Sequence, residues 1–95
     1  MNQTIYLDCV REIVHSQMAI IGPMAVEQAN NSQCIVVDKS LKDIKIIGDE
    51  KQAINKLISV YSELFGKISV EVSHDAIQKA LKNNNVQDQV TSIIE

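Results

Sequence analysis

Ninety-five residues with a formal net charge of −3 allow one domain, and 45% of them are hydrophobic. A chain of this size buries roughly 60–70% of its unfolded surface, enough for one core without metal or disulfide support. The acidic balance and the scarcity of aromatics (Tyr6, Tyr61 and Phe65 alone) argue against phosphate-backbone binding and base stacking, so no nucleic-acid partner is expected.

The start, M-N-Q-T-I-Y-L-D-C-V-R-E, places charge where a signal peptide is apolar. No apolar run approaches the ~20 residues that span a membrane. A cytoplasmic protein without a membrane span is expected. Residues 3–21 read as a first helix, with Thr4 as N-cap and Ile5, Cys9, Val10, Ile13, Val14, Met18 and Ile21 at helical spacing. Asp8, Arg11, Glu12, His15 and Gln17 are left on or near the wet face. Gly22 bends cheaply and Pro23 is preset for the first position of a helix. The chain is therefore expected to break or kink there and continue as a short helix from Pro23 to about Asn30. Asn30-Asn31-Ser32 ends it.

Between 34 and 47 the pattern supports two readings. Cys34–Val37 and Ile44–Ile47 are short β-favouring runs that fit a hairpin, while Ser40–Lys45 also fits a turn of helix. A two-stranded hairpin on its own is marginal and needs a helix to pack on.

The stretch from Asp49 to Gly66 carries the strongest signal in the chain. Ile54, Leu57, Ile58, Tyr61, Leu64 and Phe65 fall on one stripe of a helix, which predicts core positions at Leu57, Ile58, Tyr61 and Leu64. Asp49 suits the N-cap, Glu50 the positive end of the dipole, and Gly66 a left-handed C-terminal residue. Ile68, Val72, Ala76, Ile77, Ala80 and Leu81 then predict a helix from near Ser69. The alternation of Ile68, Val70 and Val72 also fits a strand, with Ser73 capping a shorter helix. Asn83-Asn84-Asn85 is a stop. The fold expected is mainly α: a small bundle of four to five helices, kinked or broken at Gly22-Pro23, with a short β-hairpin around 34–47 left open. Residues 1–85 form one helical domain, and 86–95 are a C-terminal tail with room for a short helix through Val90, Ile93 and Ile94.

Candidate chemistry is sparse. Cys9 and Cys34 are isolated and read as structural thiols. Cys9 and His15 are six residues apart, not a chelating i, i+4 pair, and His74-Asp75 are neighbours that do not face each other on a helix. Asp49-Glu50 is accounted for by a helix N-terminus. Lys39, Lys42 and Lys45 are interleaved with Asp38 and Asp43, which describes a mixed solvated surface. Gly48 precedes a helix, but the two acids behind it would repel an anion. No catalytic residue, metal ligand or cofactor-binding residue is assigned, and no cofactor or small molecule is identified. The expectation is a protein that is not an enzyme.

The apolar band on the first helix is wider than one short neighbour requires. It places Ile5, Cys9, Ile13 and Ile20 beside Tyr6, Val10, Val14, Met18 and Ile21, and the bend extends it through Met24, Ala25 and Val26. A broad apolar band is commonly buried between chains. The interaction surface expected is Val10, Val14, Met18, Ile21, Gly22, Pro23 and Met24, serving a homodimer or another protein partner, with Val14 and Met18 outward. The competing arrangement is that the later helices cover the whole band.

Ile21-Gly22-Pro23-Met24-Ala25, with a helix running in and a short helix running out, resembles the L/I-G-P-I/M-A signature of a small helical module. Such modules are found in bacterial signalling proteins and Roadblock-associated regulatory proteins. The leucine-bearing helix Ala53–Phe65 matches the module's later helix, and the resemblance spans residues 10–81. It implies a non-catalytic protein–protein interaction or regulatory module of a bacterial signalling system, without transferable catalytic or ligand residues. The alternative expectation is a small-ligand-binding domain or accessory enzyme subunit, with Cys9, His15 or His74 recruited by a partner.

Overall fold

A computed structural model describes residues 3–85. In order along the chain lie α1 (Gln3–Ile21), α2 (Met24–Asn31), β1 (Ile35–Val37), β2 (Ile44–Ile46), α3 (Glu50–Phe65) and α4 (Lys67–Asn83). The mainly helical architecture, the break at Gly22-Pro23 and the hairpin are all present. The C-terminal tail and its short helix through Val90, Ile93 and Ile94 lie outside the described residues.

The corner between α1 and α2 follows from its two unusual residues. Gly22 takes φ +72°, and its N–H donates to the Met18 carbonyl at 2.9 Å, closing α1. Pro23 stands in helical conformation at the mouth of α2, where its missing N–H costs nothing. Thr4 lies inside α1, so it is not the cap expected of it.

The strands pair antiparallel, Ile35 with Ile46, Val36 with Lys45 and Val37 with Ile44. Ile35, Val37 and Ile46 turn inward, while Val36 and Lys45 face water. What lifts this short hairpin above marginal stability is Asn30 at the end of α2. Its amide donates to the carbonyls of Val26 (3.1 Å) and Val37 (3.0 Å) and accepts from the Val37 N–H (2.9 Å). That side chain welds β1 to the helix it packs on.

Asp49 caps α3 as expected, its carboxylate accepting the Gln52 N–H at 2.9 Å. Gly66 departs from expectation in detail: with φ 81° and ψ −165° it is not in the left-handed helical region but in one that essentially only glycine visits. This lets α4 begin at the very next residue, two positions before the expected start. The 68–72 run is helical, and Ser73 is a buried residue within α4 rather than its cap.

The core is a single cluster in which Cys9, Ile13, Ile35, Ile54, Leu57, Tyr61 and Ile77 are almost wholly enclosed. α1 runs antiparallel to α4: Asp8 near its start meets Asn84, and Gln17 near its end meets Ser69 and Ser73. Three expectations about burial are corrected. Leu64 is 52% exposed, because the stripe outruns the elements that could cover it. Gln17, assigned to the wet face, is buried. Val10 and Val14, assigned to an outward surface, are fully buried within the chain. Among the described residues no helix is long and apolar enough to cross a membrane.

Candidate interaction surface and polar groove

Two features outside the core involve chemistry-bearing side chains, and both are built on α1. The first lies where α1 and α3 end and α2 and α4 begin. Inside that end, the Gln17 amide donates to the Ser69 carbonyl (3.0 Å) and the Ser73 hydroxyl (3.2 Å), and Ser73 Oγ donates to the Ser69 carbonyl (2.8 Å). The Tyr61 hydroxyl donates to the Ala25 carbonyl at 2.6 Å, and burial pushes its pKa well above the ordinary value, so it stays a neutral donor. These bonds draw four chain segments to one place.

The outer side of the same end is apolar. Ile20 follows Gln17 by one turn, Met24 directly precedes Ala25, Leu64 follows Tyr61 by one turn, and Ile68 directly precedes Ser69. Their exposures are 56%, 44%, 52% and 63%, so four of the six exposed large hydrophobics among the described residues belong to this end. Half-buried Met18, Ile21 and Phe65, on the same segments, pack against the core. Exposed Glu27, Glu63, Lys67 and Glu71 are carried by the same segments.

Of the surface expected from sequence, Met18, Ile21 and Gly22 are half-buried, and Pro23 and Met24 are exposed. Val10 and Val14 do not join them, because α4 and the rest of the core already cover that part of the band. Ile20, Leu64 and Ile68 take their place. A signal existed in the sequence: Leu64 and Ile68 flank Gly66, and a one-residue turn leaves the last turn of one helix and the first of the next with little to pack against.

No family model, curated protein or solved structure matches this chain.

The second feature is a groove of ≈ 470 Å³ between the middle of α1 and the loop joining the strands, lined by Arg11, Glu12, His15, Ser40, Leu41 and Lys42. The loop is held by its own side chains. Asp38 accepts from the Ser40 hydroxyl and, at 3.1 Å, from the Asp43 N–H, and these bonds hold its carboxyl below the usual pKa. Leu41 sits at φ 62°, a left-handed conformation costing a branched residue of order 1–3 kcal/mol. It is kept there by its buried side chain, by its N–H donating to the Asp38 carbonyl (3.1 Å), and by Arg11 Nε donating to its carbonyl (3.0 Å). Arg11 also pairs with Asp8, and Glu12 with Lys79 at 3.5 Å.

The thiols are both free. Cys9 is enclosed, and burial, reinforced by the negative charge of Asp8, pushes its pKa up to about 12, which makes it a poor nucleophile. Cys34 is half-buried beside β1. Among the described residues no group of three or more His, Cys, Asp and Glu side chains could hold a metal ion.

Proposed function

We propose that this chain is a non-catalytic protein–protein interaction module that self-associates through the end bearing Ile20, Met24, Leu64 and Ile68. The observation that carries the reading is the placement of four large, half-exposed aliphatic side chains at one end, over the buried polar groups of Gln17, Ser73 and Tyr61. Exposed apolar side chains gathered at one end mark contact sites, and a two-fold dimer is the commonest way to cover them.

Magnitude sets the kind of contact. Full burial of such a side chain gives ~1.5–3 kcal/mol, so covering the remaining half gives roughly 1 kcal/mol each. Eight such side chains across two copies give roughly 6–12 kcal/mol, against an association cost of about 4–15 kcal/mol. The dimer is weak and reversible. Lys67 among Glu27, Glu63 and Glu71 supplies cross-chain charge pairs at the rim, which set orientation more than affinity. The similarity of Ile21–Ala25 to the signature of bacterial signalling modules supports a regulatory role for this contact, in a cytoplasmic setting.

Sedimentation equilibrium tests the reading. At ~100 micromolar, where a contact of about −6 kcal/mol is populated, the wild-type chain is expected to be substantially dimeric and Leu64→Glu to be a folded monomer. A wild-type chain that stays monomeric at that concentration contradicts self-association.

A further inference from the structure

We propose that the groove between α1 and the 38–43 loop binds the oxyanion of a small organic molecule, with a phosphate monoester as the ligand class. The chain is acidic overall, at −3, yet Arg11, His15 and Lys42 converge on one groove with a single carboxylate, Glu12, on its wall. That carboxylate is turned toward Lys79 and Arg11 toward Asp8, so the two ion pairs are close to neutral and the charge of Lys42 is left without a counter-ion among the described residues.

Donor geometry points the same way. Arg11 engages Leu41 through Nε and Asp8 through Nη1, which fixes the plane of its guanidinium and leaves Nη2 without a partner among the described residues. A guanidinium held in one orientation loses little freedom when it receives an oxyanion. His15 and Lys42 stand exposed on the two walls, one on α1 and one on the loop. Three donor groups on two walls suit the three terminal oxygens of a phosphate monoester better than the two of a carboxylate. The volume, ≈ 470 Å³, lies within the ~300–1,000 Å³ of small-molecule sites and far exceeds a bare phosphate, so an organic body is expected alongside Leu41. The loop is already braced by Asp38 and Arg11, so the site is formed before the ligand arrives. This site stands apart from the apolar end and does not depend on self-association.

The test is a titration followed by amide NMR shifts, with phenyl phosphate, inorganic phosphate and benzoate as probes. Phenyl phosphate is expected to give saturable shifts at Arg11, Glu12, His15 and residues 40–42, at lower concentration than inorganic phosphate, with benzoate weakest. Lys42→Glu, on an exposed loop position, is expected to weaken phenyl phosphate at least ~10-fold. Glu12→Gln is expected to strengthen it ~3-fold by removing the carboxylate that lines the groove. Lys56→Glu, an exposed position on α3, makes the same change in net charge away from the groove and is expected to leave affinity unaltered. The proposal is overturned by the absence of saturable shifts at millimolar probe, by benzoate matching phenyl phosphate, or by Lys56→Glu weakening binding as much as Lys42→Glu.

Discussion

The two ends of α1 are closed in opposite ways. Near its start, Asp8 accepts from Arg11 and from Asn84 just past the end of α4, and Glu12 pairs with Lys79, all at the edge of solvent. Near its end, Gln17 buries its amide against Ser69 and Ser73, and Ile20, Met24, Leu64 and Ile68 stand in water. The first end satisfies itself with groups that water also tolerates. The second buries the Gln17 amide and the Ser73 hydroxyl beneath exposed aliphatic side chains, an arrangement that makes physical sense when another surface covers it. Surface ion pairs contribute ~0–1 kcal/mol, whereas stranding a buried polar group costs about 1–3 kcal/mol. The two ends therefore differ in what each substitution can do.

The largest contrast lies on α3, which passes from the core to the apolar end. Leu57→Ala is expected to cost ~2–5 kcal/mol in urea unfolding, while Leu64→Ala, half-exposed, is expected to cost well under half of that. Equal losses at both positions would mean that Leu64 is packed within the monomer. Gln17→Ala is next, at about 1–3 kcal/mol, because it opens a void and takes a donor from the Ser69 carbonyl. The matching change at the other end, Asp8→Ala, is expected to stay below ~1 kcal/mol. A reversed order would remove the distinction between the ends.

Alkaline pH acts on the buried thiol and phenol. The folded-state pKa of Cys9 is raised from 9.0 to about 12, so folding holds the proton that the unfolded chain releases. Stability from this group is complete below pH 9, declines as pH rises between 9 and 12, and falls by at most ~1.4 kcal/mol per pH unit. Tyr61 adds a decline above its ordinary value of 10.0. Stability measured from pH 8 upward should bend downward above 9, and Cys9→Ala should remove the earlier part of that bend. An unchanged bend in Cys9→Ala would show that the thiol is not the titrating group.

Local chemistry made much of the fold legible. The break at Gly22-Pro23, the Asp49 cap and the stripe on α3 are each set by neighbouring residues, and each is present. The hairpin was ambiguous because its stability rests on Asn30, which gives no strand signal of its own. Gln17 misled by residue type: it lies on the stripe of Val10, Ile13 and Val14, and period alone would have placed it inside. Leu64 misled in the other direction, since a stripe records which face a residue occupies and not how far the covering helices reach. The groove was illegible, because it joins α1 to a loop about 30 residues away through Arg11 and the Leu41 carbonyl.

A dilution series followed by amide NMR shows whether the apolar end is the contact surface. Between ~500 and ~10 micromolar, a range that brackets a weak dimer, shifts are expected to move at and around Ile20, Met24, Leu64 and Ile68, and to vanish in Leu64→Glu. Val36 and Ile47, the other exposed large hydrophobics among the described residues, should stay still. Concentration-dependent shifts centred on Val36 and Ile47, or none anywhere, would contradict the account.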